Sequence, residues 1–150
     1  MSFEAFGARE LHDLLKLRQD VFVVEQECAF PEIDGKDPDG LHYLLKDSET
    51  GALAGALRLF LPEDRANERC RIGRVVIAQA YRGRGLGQQL MEAGIARSNE
   101  AAPEAQIDLS AQAHLEPFYK RLGFQTVSDV YLEDDIPHLD MVLSAYPVVR

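Results

Sequence analysis

The chain has 150 residues, 46% of them hydrophobic and 27% charged, and a net charge of −9 from 16 basic and 25 acidic side chains. That length suits one domain with a real core, so a single domain over 1–150 is expected. The acidic balance argues against a general nucleic-acid binder, whose footprint is a basic excess, and suits cationic small molecules as partners.

The opening "MSFEAFGARELHDLL" has no basic head followed by an apolar stretch, so no secretory signal is expected. No apolar run approaches the roughly 20 residues that a membrane span requires. Cys28 and Cys70 lack metal-ligand spacing, and His12, His42, His114 and His138 are scattered, which points to a cytoplasmic chain with reduced thiols and no metal.

"SFEAF" reads as a short strand, and Leu11, Leu14, Leu15, Arg18, Val21 and Phe22 recur at helical spacing over about 8–23, in one or two pieces. "CAFPEIDGKDPDG" is rich in turn formers and predicts a loop. "LHYLLK" and "ALAGALRLFL" read as strands parted by the turn "DSETG", and "RIGRVVIA" as a third. Leu86, Leu90, Met91, Gly94 and Ile95 mark a helix face running to about Asn99. "QIDLSA" predicts a strand, "LEPFYKRLG" a short helix stopped at Gly123, and "FQTVSDVYLE" and "HLDMVLSA" two closing strands. With one crossover helix and otherwise neighbouring strands, the pattern predicts an α+β fold. Its central sheet is mixed and mostly antiparallel, holds one parallel pair, and is not doubly wound.

Charge is unevenly spread. Glu25, Glu27, Glu32, Asp34, Asp37 and Asp39 crowd one loop with Lys36 alone against them, whereas Arg65, Arg69, Arg71, Arg74, Arg82 and Arg84 face only Glu68. The arginines predict an anion near "RGRGLG", and the acids a cationic acceptor; solvated surface is the alternative for both. A helix N-terminus offers unpaired N–H groups, and Gly83, Gly85 and Gly87 allow phosphate oxygens to approach them. The spacing is neither that of a Walker A loop nor the G-x-G-x-x-G of dinucleotide binders.

"RGRGLG" matches R/Q-x-x-G-x-G/A, and with "VVI" before it and "FYKRLGF" after it the chain resembles the GNAT superfamily of acyl-CoA-dependent N-acyltransferases along nearly its whole length. "LRQDVFVVEQ", "IGRVVI", "AQAHLEPFYKRLGF" and "EDDIPHLDM" are similar to its ElaA-like branch. The resemblance implies acetyl-CoA as co-substrate, with "RIGRVVI" and "QIDLS" as a splayed parallel strand pair. It implies that the main chain of Val75, Val76 and Ile77 meets the pantetheine arm, and that Arg82, Gly83, Arg84, Gly85, Leu86, Gly87 and Gln88 hold the pyrophosphate. Gln112 would lie near the arm, and Tyr119 would donate a proton to the departing thiolate. Val75, Val76 and Ile77 also read as plain core strand, and Tyr119 as a core aromatic.

Many members carry a glutamate on the strand before the glycines, but "RIGRVVIA" has none, so His114 is the first candidate base, followed by Glu25 and His138. The expected reaction moves an acetyl group to a primary amine of a small molecule or a protein. A CoA-binding sensor without catalysis is an alternative. An acyltransferase similar to acyl-homoserine lactone synthases, on "LRQDVFVVEQ", is another. A homodimer is left open.

Overall fold

The computed structural model describes residues 1–62 and 69–144. Its secondary structure runs α1 (Ala8–Arg18), β1 (Leu41–Lys46), β2 (Leu53–Phe60), β3 (Arg69–Ile77), α2 (Leu86–Ala101), β4 (Gln106–Gln112), α3 (Glu116–Arg121), β5 (Gln125–Thr126), β6 (Tyr131–Glu133) and β7 (Ile136–Leu143). This is an α+β chain with mixed, mostly antiparallel strand pairing. It divides into two compact units, Met1–Phe60 with Arg74–Gly94 and Leu61–Gly73 with Ile95–Arg150.

In the first unit, Glu10 accepts the Gly7 N–H ahead of α1, which ties down one donor that the helix start leaves free. The helical path continues beyond Arg18 as a wider π-helical turn, Gln19–Glu25. Its five-residue bonds run from the N–H groups of Gln26 and Cys28 to the carbonyls of Val21 and Val23. Leu14, Leu17 and Val21 therefore stay on one face and pack with Ala56 and Val76 as the core. Antiparallel β1 and β2 pair from Leu41↔Leu59 to Lys46↔Leu53. Gly55 in β2 has no room for a side chain: a Cβ there would lie 2.9 Å from the Val76 carbonyl and 2.7 Å from Ile77.

A lattice of ion pairs binds the loop after the π turn to its neighbours. Arg18, only 1% exposed, donates to Glu32 at 3.0 Å and to Asp37 at 2.8 Å. Arg58 of β2 donates to Asp37 at 2.9 Å and to both oxygens of Asp34 at 3.0 and 2.9 Å. Arg74 of β3 donates to Glu32 at 2.7 Å and to Asp34 at 3.3 Å. Three cations thus meet three carboxylates.

In the second unit, β3 and β4 are parallel over three residue pairs, Arg69↔Gln106, Cys70↔Ile107 and Arg71↔Asp108, although β3 runs on to Ile77 and β4 to Gln112. On its other edge β4 pairs antiparallel with β7 along its length. β7 pairs in turn with β5 and β6. Alternation sends Ile107, Leu109 and Ala111 into the interior with Leu139, Met141 and Phe124.

Two expectations need correction. "SFEAF" forms a 3₁₀ turn, Phe3–Ala5, and only Ser2 bridges to Leu41. "FQTVSDVYLE" is two short strands, because the N–H of Val127 donates to Asp140 O and that of Asp140 to Ser128 Oγ, which gathers the intervening residues into a bend. Ala145, placed in the last strand, and Arg65 lie outside the described residues.

The lattice fixes an acid dependence. Burial pushes the Asp34 carboxyl up, but hydrogen bonds from Arg58 and the Lys36 amide and the nearby charges of Arg58 and Arg74 outweigh it and leave the value at about 2. Asp37 is likewise lowered, by Arg18 and Arg58 against burial. Both fall below the value of about 4 for an unfolded aspartate. Their stabilisation is therefore complete above that pH and is lost as pH drops through the folded value. Urea unfolding from pH 5 to pH 2 is expected to show the loss, with Asp34→Asn flattening the slope by on the order of 2 kcal/mol over that range.

Candidate functional site

The stretch between β3 and α2 is built from the first unit alone. Beyond Ile77 the Ala78 N–H donates to Ala54 O at 2.8 Å, and a 3₁₀ turn follows at Gln79–Tyr81. Tyr81 anchors that turn by donating its hydroxyl to Asp47 at 2.7 Å. Gly83 and Gly85 then take φ of +81° and +75°, the left-handed region, with nothing within 4 Å of where a Cβ would stand. α2 begins at Leu86 and runs 16 residues.

The amide accounting is uneven here. The Arg82 N–H reaches Gln79 O at 3.4 Å and the Gln89 N–H reaches Gly85 O at 3.2 Å. Between them, the N–H groups of Gly83, Arg84, Gly85, Leu86, Gly87 and Gln88 have no acceptor among the described residues. The last three belong to the first turn of α2, which has no intrahelical acceptor to offer. The helix dipole adds partial positive charge at the same end. Arg82, Gly83, Arg84, Gly85 and Gln88 are exposed, and Leu86 and Gly87 half-buried. Such a run of bare donors suits an anion with several oxygens.

The arginines are arranged otherwise than their number suggested. Arg82 makes a bidentate pair with Glu25 at 2.6 and 2.9 Å and also donates to Ile77 O at 3.1 Å. Arg74 belongs to the ion lattice, and Arg69 and Arg71 sit 3.5 and 2.9 Å from Asp108. Arg84 has no carboxylate partner among the described residues; it lies over the Tyr81 ring at 5.2 Å and reaches Ala80 O at 3.4 Å. Half of the six acids in the loop, Glu32, Asp34 and Asp37, serve the lattice. The Arg82 hydrogen bonds hold Glu25 below the usual carboxylate range. A carboxylate clamped in that way is a poorer proton acceptor than a free one.

Val76 is core, 3% exposed, and Val75 and Ile77 are half-buried. Just before them Arg74 adopts φ of +52°, uncommon for a residue with a side chain. Its guanidinium is fixed by Glu32 and lies over the Phe30 ring at 5.6 Å. Sequence reading treated Arg74 only as one of a basic run; the glycine before it was the available sign of an irregular strand.

Gln112, His114, Tyr119 and His138 belong to the second unit. Gln112 ends β4, in register with His138 of β7. His114 is exposed on a 3₁₀ turn, Ala113–Leu115. Tyr119 is 6% exposed in α3, edge-on to Phe118 and Phe124 at 5.0 and 6.1 Å. Its hydroxyl has no hydrogen-bond partner among the described residues, and burial pushes its pKa up to about 12. His138 places Nδ1 2.7 Å from Ile136 O. A carbonyl can only accept, so Nδ1 carries a proton, and Nε2 is the ring nitrogen that can accept one. Among the described residues no group of three or more His, Cys, Asp or Glu is placed to hold a metal. No helix among them is long and apolar enough to cross a membrane.

Residues 21–145 match the family described as an acetyltransferase (GNAT) domain. A UPF0039 protein of Schizosaccharomyces pombe is 40% identical over 142 residues, 94% of this chain and 92% of the relative. An acyl-CoA N-acyltransferase from Pseudomonas aeruginosa has a crystal structure that superposes with a TM-score of 0.87 at 42% identity, covering 96% of this chain and 97% of that one. The crystal structure of Escherichia coli ElaA gives 0.86 at 37% identity and 94% of each chain. With its parallel strand pair, its glycine turn and these likenesses over nearly all its length, the chain belongs to the GNAT acetyltransferase family and is similar there to ElaA.

Proposed function

We propose that this chain transfers an acetyl group from acetyl-CoA to a primary amine by direct attack of the amine on the thioester. The observation that carries the reading is the run of amides from Gly83 to Gln88 with no acceptor among the described residues, opened by two left-handed glycines at the N-terminus of a 16-residue helix. A diphosphate presents the several oxygens that such donors match. The likeness to an acyl-CoA N-acyltransferase supports the same choice.

On this reading the main chain of residues 82–88 holds the pyrophosphate, the backbone of Val75, Val76 and Ile77 meets the pantetheine amides, and Gln112 contacts the arm. The Arg82–Glu25 pair braces the turn rather than binding phosphate, and Arg84 supplies long-range attraction. Attack of the uncharged amine on the carbonyl carbon forms the C–N bond, and collapse of the tetrahedral adduct breaks C–S. Tyr119, a buried neutral phenol, gives its proton to the sulfur as the C–S bond breaks. The amine's proton goes to a histidine. His138 is better prepared than His114, because its Nδ1–H is engaged and its Nε2 is oriented.

Calorimetric titration with CoA tests the amide cradle. Gly85→Ala forces a Cβ into left-handed backbone at a cost of roughly 1 kcal/mol or more, so affinity is expected to fall about tenfold. Arg84→Ala is expected to cost less and to matter only at low salt. Unchanged CoA affinity in Gly85→Ala defeats the assignment.

Turnover is read as thiol release from acetyl-CoA against a panel of primary amines, with acetylated product identified by mass spectrometry. Tyr119→Phe should lower kcat about 100-fold while CoA affinity stays the same. CoA binding without thiol release on any amine would mark a non-catalytic binder.

The base is separated by the pH dependence of kcat/KM. His138→Gln is expected to abolish the acidic limb and His114→Gln to leave it in place. The opposite pattern moves the role to His114.

A further inference from the structure

On the face of β4 and β7 opposite Ile107, Leu109 and Met141, half-buried Asp108 and Ser110 of β4 lie beside buried Val142 and half-buried Asp140 of β7, and Gln112 lies beside buried His138. Tyr131 of β6 joins them, in register with His138 and stacked on its ring at 6.2 Å and 25°. Its hydroxyl donates to Asp140 Oδ1 at 2.6 Å, and Ser110 Oγ donates to the same oxygen at 3.1 Å. The phenol is the donor in that bond, since burial first and the Asp140 hydrogen bond second raise the Tyr131 pKa and keep it neutral. The main chain of Asp140 is also clamped: its N–H goes to Ser128 Oγ at 2.8 Å and its carbonyl takes the Val127 N–H at 2.9 Å.

This carboxylate is therefore aimed through one oxygen while its other oxygen is left over. Asp140 Oδ2 has no hydrogen bond or cation among the described residues. The two nearby arginines do not supply one. Arg69 and Arg71 both lie against Asp108, at 3.5 and 2.9 Å, and Arg71 reaches no further than Ser110 Oγ at 3.0 Å. A half-buried anion held by neutral donors, with a free oxygen and no counter-ion among the described residues, is suited to a cationic ligand. Its neighbours on the same face sharpen the class: His138 leaves an acceptor at Nε2, and the Tyr131 and His138 rings offer apolar flanks. An ammonium with an alkyl stem satisfies all of these groups. A carboxylate ligand is repelled, and an alcohol lacks the charge.

We infer that Asp140 Oδ2 receives the acceptor, a primary alkylamine, as its ammonium, which loses one proton to solvent before the uncharged amine attacks, with Tyr131 and Ser110 as the residues that position the carboxylate. The inference rests on the proposed transfer to an amine and names the group that recognises it. Tyr131 acts only through Asp140, so its removal should weaken recognition without abolishing it.

The test uses butylammonium chloride as probe on the whole chain, with butanol and potassium chloride at matched concentration as controls, read by amide nitrogen–proton shifts. Saturable shifts at Ser110, Tyr131 and Asp140 are expected for butylammonium alone. Asp140→Asn, isosteric and uncharged, should weaken its binding about tenfold, and Tyr131→Phe about threefold. With acetyl-CoA present, Asp140→Asn should raise KM for alkylamines by a similar factor and leave CoA affinity untouched.

Equal shifts with butanol, or undiminished binding to Asp140→Asn, overturn the inference. If Asp140→Asn does not fold, Tyr131→Phe and Ser110→Ala decide, and butylammonium affinity unchanged in both overturns it as well. The amine titration needs no CoA. Loss of CoA binding by the unaltered protein therefore sinks the proposed function and leaves the amine result readable, and CoA binding with no amine site does the reverse.

Discussion

The contact on which the first unit depends is the buried exchange between Arg18, Arg58 and Arg74 and the carboxylates of Glu32, Asp34 and Asp37. Charges in such surroundings are stable only as a complete set; deleting one partner strands another in a medium that solvates it poorly. The lattice ties the end of α1, the loop after the π turn, β2 and the irregular step in β3 into one arrangement. At Arg74 it also holds a side-chain-bearing residue in left-handed backbone, a conformation that costs on the order of 1 kcal/mol or more and persists only where its surroundings determine it. The residues at this step look ordinary one by one and are coupled as a group.

That coupling changes how an acidic protein can hold an anion. Arg74 and Arg82 are spent on carboxylates, and their net contribution to the local potential is small. What remains at the glycine turn is a row of main-chain dipoles and the start of a long helix, with Arg84 beside it. Amide donors of this kind are fixed in direction and need no side-chain ordering on binding. They also attract an anion without a large positive field that would gather nucleic acid. The net charge of −9 and the proposed binding of phosphate at this turn are therefore compatible.

Periodicity made most of the fold legible. β1 falls on "LHYLLK", and α2 opens at Leu86 as the glycine spacing predicts and ends two residues past the expected Asn99. The losses have local causes. "SFEAF" alternates like a strand but is too short to resist the 3₁₀ turn that its N-terminal position allows. The pairing of "FQTVSDVYLE" with β7 is interrupted between β5 and β6 by the side chain of Ser128, and a hydroxyl capturing a strand N–H leaves no trace in hydropathy. At the candidate site the glycines were visible because backbone conformation restricts residue type. The fate of the arginines was not, because pairing depends on residues up to 57 positions apart, as with Arg82 and Glu25. Asp140 was within reach of the period-two rule, which puts it on the face of His138, but the segment read simply as a strand.

The second unit sets its proton-carrying side chains in contrasting surroundings, and that contrast bears on the direction of proton flow. Tyr119 sits among Phe118 and Phe124 with no acceptor for its hydroxyl among the described residues, so ionisation there is costly and the phenol holds its proton tightly. His138 has the opposite bias. The Ile136 carbonyl commits Nδ1 as donor, so the ring can gain a proton at Nε2 but has none to give from that atom while neutral. Tyr131 stacks on this imidazole and spends its hydroxyl on Asp140, which keeps the phenol from competing for the proton. One group that holds its proton and another arranged to accept one are the kinds of group the proposed aminolysis of a thioester would use, with the amine losing a proton as the sulfur gains one.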